Sequence, residues 1–344
     1  MIPIRSSNAC GPNFRSDGPS EMKYQVTQYS LRGGRPSNQD RVTVAERDNA
    51  VLMAVADGLG GHAGGELAAE SFVQTAVHAF RNVKQPTIER PSAFLALVIR
   101  HAHNVIRAMA RSHPMEIEPR TTCVLCIVQN GYAYWAHVGD SRLYHLRGTQ
   151  VLARTQDHTS LEQWREEGLV TEAEMGEHFS KGKLLRCLGS AREPAIDIGQ
   201  ETSLQRGDTL LLCSDGLWEA LSTEEIARYA NSPALEEGIE DMLLAVERKR
   251  KAASDNVSVV ALRWDDAMSK TLPLQGNPAG QVAPSALVRE GARAVAGRKP
   301  SALGGKATSP SRKQESPNDS LDQRIEELEK YLSRFEPRPK RDNS

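Results

Sequence analysis

Thr122-Cys-Val-Leu-Cys-Ile-Val-Gln-Asn-Gly-Tyr-Ala-Tyr-Trp-Ala-His-Val138 is the stretch that decides the fold class. Asn130-Gly131 stands between two runs rich in β-branched, aromatic and other apolar residues. That dipeptide is the strongest short-range hairpin signal, because it tolerates the left-handed backbone of a two-residue turn. Strands are therefore predicted over Thr122–Gln129 and Tyr132–Val138. Just downstream, Leu143–Leu146 and Gln150–Ala153 flank Arg147-Gly-Thr, which predicts a second hairpin. Antiparallel hairpins outnumber helical crossovers in this part of the chain. That argues against a doubly wound parallel sheet and for an α+β fold, with helices outside two packed, mainly antiparallel sheets.

Further out, Ala50–Ala56 is a short apolar run ending in Asp-Gly, the pattern of a buried strand, and Thr209–Cys213 is another ending in Ser-Asp-Gly. Gly65–Phe80 carries helical periodicity through Leu67, Phe72, Ala76 and Phe80, and Ser92–Met109 is a second helix candidate. Ser222-Thr-Glu-Glu225 is a capping box that opens a helix. Asn256–Arg263 alternates like a final strand.

The chemistry lies in where the aspartates fall. Asp57 follows the strand ending at Ala56, Asp140 follows the hairpin strand ending at Val138, and Asp215 follows Thr209–Cys213. Asp40 ends Asn38-Gln-Asp before a strand-like segment, and Asp255 precedes the last strand. Ionised carboxylates at the ends of buried strands are expensive to desolvate unless a cation compensates them. Gathered together they would also raise one another's pKa. Hard divalent cations resolve both conflicts, since Mg2+ and Mn2+ prefer oxygen ligands. Gly58 and Gly216, each directly after an aspartate, allow the backbone to approach an ion without a Cβ clash. A single Asp-Gly is an ordinary turn; the set of them at strand ends carries the argument.

Gly58-Leu-Gly-Gly-His-Ala63 imitates a dinucleotide fingerprint. Asp57 at that turn would oppose a pyrophosphate, and Asn82–Pro91 lacks the second strand of a βαβ unit. The formal net charge of -1 gives no argument for nucleic acid or a membrane surface as partner, so neither is expected. No apolar run approaches the roughly 18 residues of a membrane-spanning helix. Met1–Glu21 lacks the apolar core of a secretory signal. The five cysteines (Cys10, Cys123, Cys126, Cys187 and Cys213) form no paired framework, so reduced thiols and a cytoplasmic location are expected. Cys123 and Cys126 sit three apart on a predicted strand and should face opposite sides, which speaks against a shared metal.

Composition and element pattern divide the chain into a polar arm over 1–22, a folded domain over 23–266, a Pro/Gly/Ala/Ser-rich linker over 267–318 and a helix over 319–336. Arg289 to Lys313 holds seven basic residues against one acidic, a solvated linker or a contact for an acidic partner. Ser320-Leu-Asp-Gln323 is a capping box, and Leu321, Ile325, Leu328, Leu332 and Phe335 form one apolar stripe. So short a helix must pack on something, whether its own domain, a second copy or a partner.

Taken as a set, these segments resemble the bacterial branch of the PPM-type, or type 2C, metal-dependent protein phosphatases. The carriers are Arg35-Pro-Ser-Asn-Gln-Asp40, Val55-Ala-Asp-Gly-Leu-Gly-Gly-His-Ala-Gly-Gly-Glu66, Thr121-Thr122, Val138-Gly-Asp-Ser-Arg142, Asp157-His158, Cys213-Ser-Asp-Gly-Leu-Trp218 and Ser254-Asp-Asn-Val-Ser258, in the family's order. The resemblance implies a four-layer α-β-β-α sandwich and hydrolysis of phosphoserine and phosphothreonine by a water that bridges two Mg2+ or Mn2+ ions. By position, Asp57 would bridge both ions and the Gly58 carbonyl would bind the second. Asp215 and Asp255 would complete the first site, and Asp40 would hold waters of the second. Asp140, with Asp215, would form a weaker third site. Arg35 matches the phosphate-binding arginine and His62 the proton donor to the leaving oxygen. The substrates implied are phosphorylated proteins, targets of a cognate serine/threonine kinase.

Two departures stand out. Gln39 replaces a common glutamate. In Glu177-His-Phe-Ser-Lys-Gly-Lys-Leu-Leu-Arg-Cys-Leu-Gly189, Phe179, Gly182 and Leu185 stand where the family has Pro, Asn and Thr. The alternative reading, a catalytically silent phosphoprotein-binding module of the same fold, would normally come with a lost metal ligand, and none is missing.

Overall fold

Asn130 and Gly131 take φ of 54° and 76°, the two positive values that the hairpin turn requires. They join β6 (Cys123–Gln129) to β7 (Tyr132–Val138), paired antiparallel from Gln129 opposite Tyr132 to Cys123 opposite Val138. The computed structural model describes residues 22–59, 64–114, 117–168, 183–250 and 255–266. The predicted arm up to residue 21, the linker, the C-terminal helix, His62, Cys10, Phe179 and Gly182 lie outside the described residues.

Around this hairpin grows a six-stranded sheet. β3 (Ala50–Ala56) pairs with β6, and β2 (Arg41–Arg47) pairs with β3. The short β10 (Asp197–Ile198) and β11 (Thr202–Ser203) pair with β7 on its other edge. A five-stranded sheet has the order β1 (Tyr24–Leu31), β13 (Val257–Trp264), β12 (Asp208–Cys213), β8 (Arg142–Arg147), β9 (Gln150–Arg154). Every pairing in both sheets is antiparallel. A small ribbon joins β4 (Gly58–Leu59) to β5 (Arg120–Thr121).

Strand alternation sorts the apolar residues into three interfaces. Leu52, Ala54 and Ala56 of β3, with Leu125 and Ile127 of β6, face α1 (Gly64–Arg81) and α2 (Pro91–Ser112), which supply Phe72, Phe80, Leu95 and Ile99. Val51, Met53 and Val55 point the other way and meet Leu210, Leu212, Val260 and Leu262 between the sheets. Leu211, Cys213, Val259 and Ala261 face outward onto α5 (Thr223–Ala230) and α6 (Leu235–Arg250), through Ile226, Ile239 and Met242. The resulting layers are α-β-β-α. Strands buried on both faces are apolar at nearly every position: β3 is wholly apolar and β6 is apolar up to Gln129, while β12 and β13 depart from the pattern only at Asp208, Thr209, Ser258 and Arg263, whose polar groups are hydrogen-bonded. Cys123 falls in the helix-facing layer and Cys126 between the sheets, on opposite faces of one strand.

α5 is closed by the capping box expected of it: the Ser222 hydroxyl accepts from Glu225 N–H while the Glu225 carboxylate accepts from Ser222 N–H. Two helices go beyond the segments read from sequence, α3 (Ser160–Glu166), capped by Thr159, and α6. Asp215 opens a helical turn, α4 (Asp215–Trp218), rather than a plain Asp-Gly turn.

Candidate active site

Register alone carries the predicted aspartates to one end of each sheet. Arg41 lies opposite Ala56, so Asp40 enters β2 where Asp57 leaves β3. Cys213 lies opposite Val259, so Asp215 leaves β12 near the point where Asp255 leads into β13. One contact then joins the two sheets at this end: the Ser214 hydroxyl donates to Asp40 Oδ2 at 2.7 Å, and Ser214 Oγ in turn accepts from Ser258 N–H. The charges of Asp215 and Asp255 both reach Asp40, and those of Asp255, Asp215 and Asp57 all reach Arg35. Four of the predicted carboxylates, with Arg35, thus share one electrostatic neighbourhood.

Asp40 shows what this arrangement demands. Burial pushes its carboxyl well above the ordinary carboxylate range, the Ser214 bond opposes the shift, and the Asp215 and Asp255 charges add to it. Its Oδ1 is buried and has no hydrogen-bond partner. An ionised carboxylate with an orphaned oxygen inside a cluster of like charges is unfavourable without a cation. The donors that Asp40, Asp57, Asp215 and Asp255 bring are carboxylate oxygens. That set fits Mg2+ or Mn2+.

Arg35 approaches the cluster from the loop between β1 and β2. Its Nε and Nη2 donate to the two oxygens of Asp255 at 2.8 and 2.7 Å, a bidentate pair that favours the charged guanidinium. The side chain is 60% exposed, so its fork stands at the mouth of the cluster. Asn256 ties this loop down. Its amide donates to the carbonyls of Arg32 and Ser37, and its Oδ1 accepts from Gln39 N–H. Asn38 adds bonds to Ser30 Oγ and Asp40 N–H. Asn256 directly follows Asp255 and Asn38 stands two residues before Asp40, but the partners that make each amide a positioning group are fixed only by the folded chain.

Asp57 is held by its backbone. Its carbonyl accepts from Thr122 N–H at 2.9 Å and from Thr121 Oγ1 at 2.8 Å, and its N–H donates to Thr122 Oγ1 at 3.2 Å. Gly58 follows because nothing larger fits: a Cβ there would lie 2.5 Å from the Gly65 carbonyl at the start of α1 and 2.7 Å from the Gln39 oxygen. The expectation that glycine frees the backbone for an ion is thus joined by a packing demand.

Asp140 sits on the turn after β7. Its carbonyl accepts from Trp218 Nε1 at 3.0 Å, which ties this turn to the helix opened by Asp215. Gly139 before it takes φ of +111° and packs on Thr122. Arg142 stacks over the Trp218 ring at 3.7 Å and holds Asp157 through a bidentate pair at 2.8 and 2.6 Å. His62 lies outside the described residues. In the flap-like segment, Leu185 N–H donates to the His158 carbonyl and the side chain is exposed.

A sandwich of two antiparallel sheets between helix layers, with acidic residues from both sheets gathered at one end, defines the class of this protein. Residues 28–257 match the family model described as Protein phosphatase 2C, and the chain belongs to that family. It is 31% identical over 242 residues to the serine/threonine protein phosphatase PstP of Mycobacterium tuberculosis, which covers 68% of this chain but 44% of the relative. The chain therefore matches less than half the length of that relative. It is 29% identical over 233 residues to the serine/threonine phosphatase stp of Listeria monocytogenes, covering 67% of this chain and 92% of that protein. The crystal structure of the PstP catalytic domain in complex with 2 manganese ions superposes with a TM-score of 0.59 at 28% identity, over 71% of this chain and 99% of that one. Among the described residues no helix is long and apolar enough to cross a membrane.

Proposed function

We propose that this chain is a Mg2+- or Mn2+-dependent protein phosphatase that hydrolyses phosphoserine and phosphothreonine in proteins. The observation that supports the reading is that the charges of Asp57, Asp215 and Asp255, carried by two different sheets, all act on Arg35, and those of Asp215 and Asp255 on the buried Asp40, one of whose carboxylate oxygens is left unpartnered. Membership of the protein phosphatase 2C family and the two manganese ions held by the PstP catalytic domain support it.

In this reading Asp57, Asp215 and Asp255 would hold one ion, Asp57, the Gly58 carbonyl and Asp40 would serve a second, and Asp140 with Asp215 would serve a third. When bound, these ions supply a water acidic enough to ionise near neutral pH and a positive field for the phosphoryl oxygens. The protein's own residues do the rest. Thr121 and Thr122 fix the Asp57 backbone, and Ser214 orients Asp40. Arg35, whose planar fork pairs with Asp255 in this structure, would turn that fork to two phosphoryl oxygens. His62 is assigned the proton for the departing seryl or threonyl oxygen, a task suited to an imidazole; this assignment rests on the motif alone. The substrates are assigned to phosphorylated proteins made by a cognate kinase, and the C-terminal helix to docking on a partner or on a second copy.

Hydrolysis of p-nitrophenyl phosphate is the direct test. Turnover should require added Mn2+ or Mg2+, stop with a chelator, and fall by at least about 100-fold in Asp57→Asn and Asp215→Asn. Turnover that survives chelation would overturn the assignment.

A further inference from the structure

His137, His158 and Asp197 form a second cluster, built from neither the acidic residues nor the loop of Arg35. One nitrogen of each ring and one carboxylate oxygen lie within 4.8 Å of one another. The two rings stack with centroids 4.6 Å apart. His137 Nε2 is 2.7 Å from the Gln156 carbonyl, which can only accept, so the ring proton is on Nε2 and the lone pair is on Nδ1. That Nδ1 is buried without a partner, in a residue only 4% exposed. Burial lowers the pKa of both rings, that of His158 to about 4, so neither has to lose a net proton to bind a metal at pH 7. Asp197, 45% exposed, opens the cluster to solvent.

We propose that His137, His158 and Asp197 form a binding site for a borderline transition-metal ion such as Zn2+, distinct from the carboxylate cluster. Two imidazoles and a carboxylate suit zinc, whereas Mg2+ prefers oxygen alone. Arg186 guards the site: its Nη1 lies 2.9 Å from Asp197 Oδ1 and 3.2 Å from His158 Nε2. Its guanidinium competes with the ion for Asp197, and at 40% exposure the side chain has room to swing away.

His158 also connects the site to the turn of Asp140. Gly139 N–H donates to His158 Nδ1 and His158 N–H donates to the Gly139 carbonyl, both at 3.0 Å. His158 Nε2 therefore bears the ring proton and points it at Asp197 Oδ2, 3.1 Å away. For Nε2 to bind the ion it must release that proton while Nδ1 takes one up. No net proton is lost, but Gly139 N–H loses its acceptor. Zinc binding thus acts against the present position of the Gly139–Asp140 turn.

The test is a calorimetric titration of the full chain with Zn2+ under saturating Mg2+, with Co2+ absorption as a reporter of nitrogen ligation. One equivalent should bind in the wild type and in Asp57→Asn. Asp197→Asn should weaken it at least about tenfold, and Arg186→Gln should tighten it several-fold. A gain in Arg186→Gln cannot come from unfolding. Absence of zinc binding, or binding that neither Asp197→Asn nor Arg186→Gln moves, would overturn the site. Neither readout depends on phosphatase turnover.

Discussion

At the scale of single residues, the acidic site depends as much on glycines and amides as on its carboxylates. Gly216 stands directly after Asp215, and a Cβ there would fall 2.1 Å from the Asn256 carbonyl oxygen and 3.1 Å from Val257 Cγ2. Asn256 cannot yield freely, because its side chain holds the loop that carries Arg35 and Asp40. Gly216→Ala is expected to destabilise the protein by about 1–3 kcal/mol and to weaken Mn2+ binding, measured by thermal unfolding and titration. Gly148, at φ +59°, has open space where its Cβ would be. Gly148→Ala should leave Mn2+ affinity intact, and an equal loss in both variants would refute the close-approach argument.

At the scale of elements, β8 and β12 are locked by a buried carboxylate. Asp208 accepts from Arg147 Nε and Nη2 at 2.7 and 2.9 Å, from His145 Nε2 at 3.0 Å and from Gln205 N–H at 2.9 Å. Burial works to raise this carboxyl, but the three partners outweigh it and hold it at about 2. The folded value lies below the unfolded one, so the stabilisation is complete above about pH 4 and is lost as pH falls from there toward 2. Its size is about 2 kcal/mol. Urea unfolding of wild type and Asp208→Asn should show a gap at pH 6 that shrinks by more than half at about pH 2.5. A gap independent of pH would contradict this account. The strands of this lock were legible as an apolar run and a hairpin. The lock itself was not, since His145, Arg147 and Asp208 meet only once β8 lies beside β12.

At the scale of the whole molecule, three apolar interfaces separate four layers, and the last strand closes the structure. β13 sits between β1 and β12, and beyond it Asp265 N–H donates to the Lys23 carbonyl. Truncation after Asp266 is therefore expected to leave turnover of a small phosphoester unchanged while altering capture of a phosphoprotein or the oligomeric state, measured by kinetics and light scattering. Loss of basal turnover on truncation would place the tail within the catalytic unit.

The amino-acid sequence by itself determined most of the elements, α3 and α6 excepted, and the chemistry of the donors. A two-residue turn signal, the apolar runs and a capping box are local properties, and the residue types after each strand limit which ions can be held. Tertiary structure alone decided which side chains meet. Ser214 reaches Asp40 only because two sheets stack face to face, Asn256 grips Arg32, Ser37 and Gln39 across more than two hundred residues, and the His137–His158–Asp197 cluster forms where three separate segments cross. The physical reason is range: backbone preference and hydrophobic period act over a few neighbours, whereas a hydrogen bond or a charge pair is specified only when packing has set the distance.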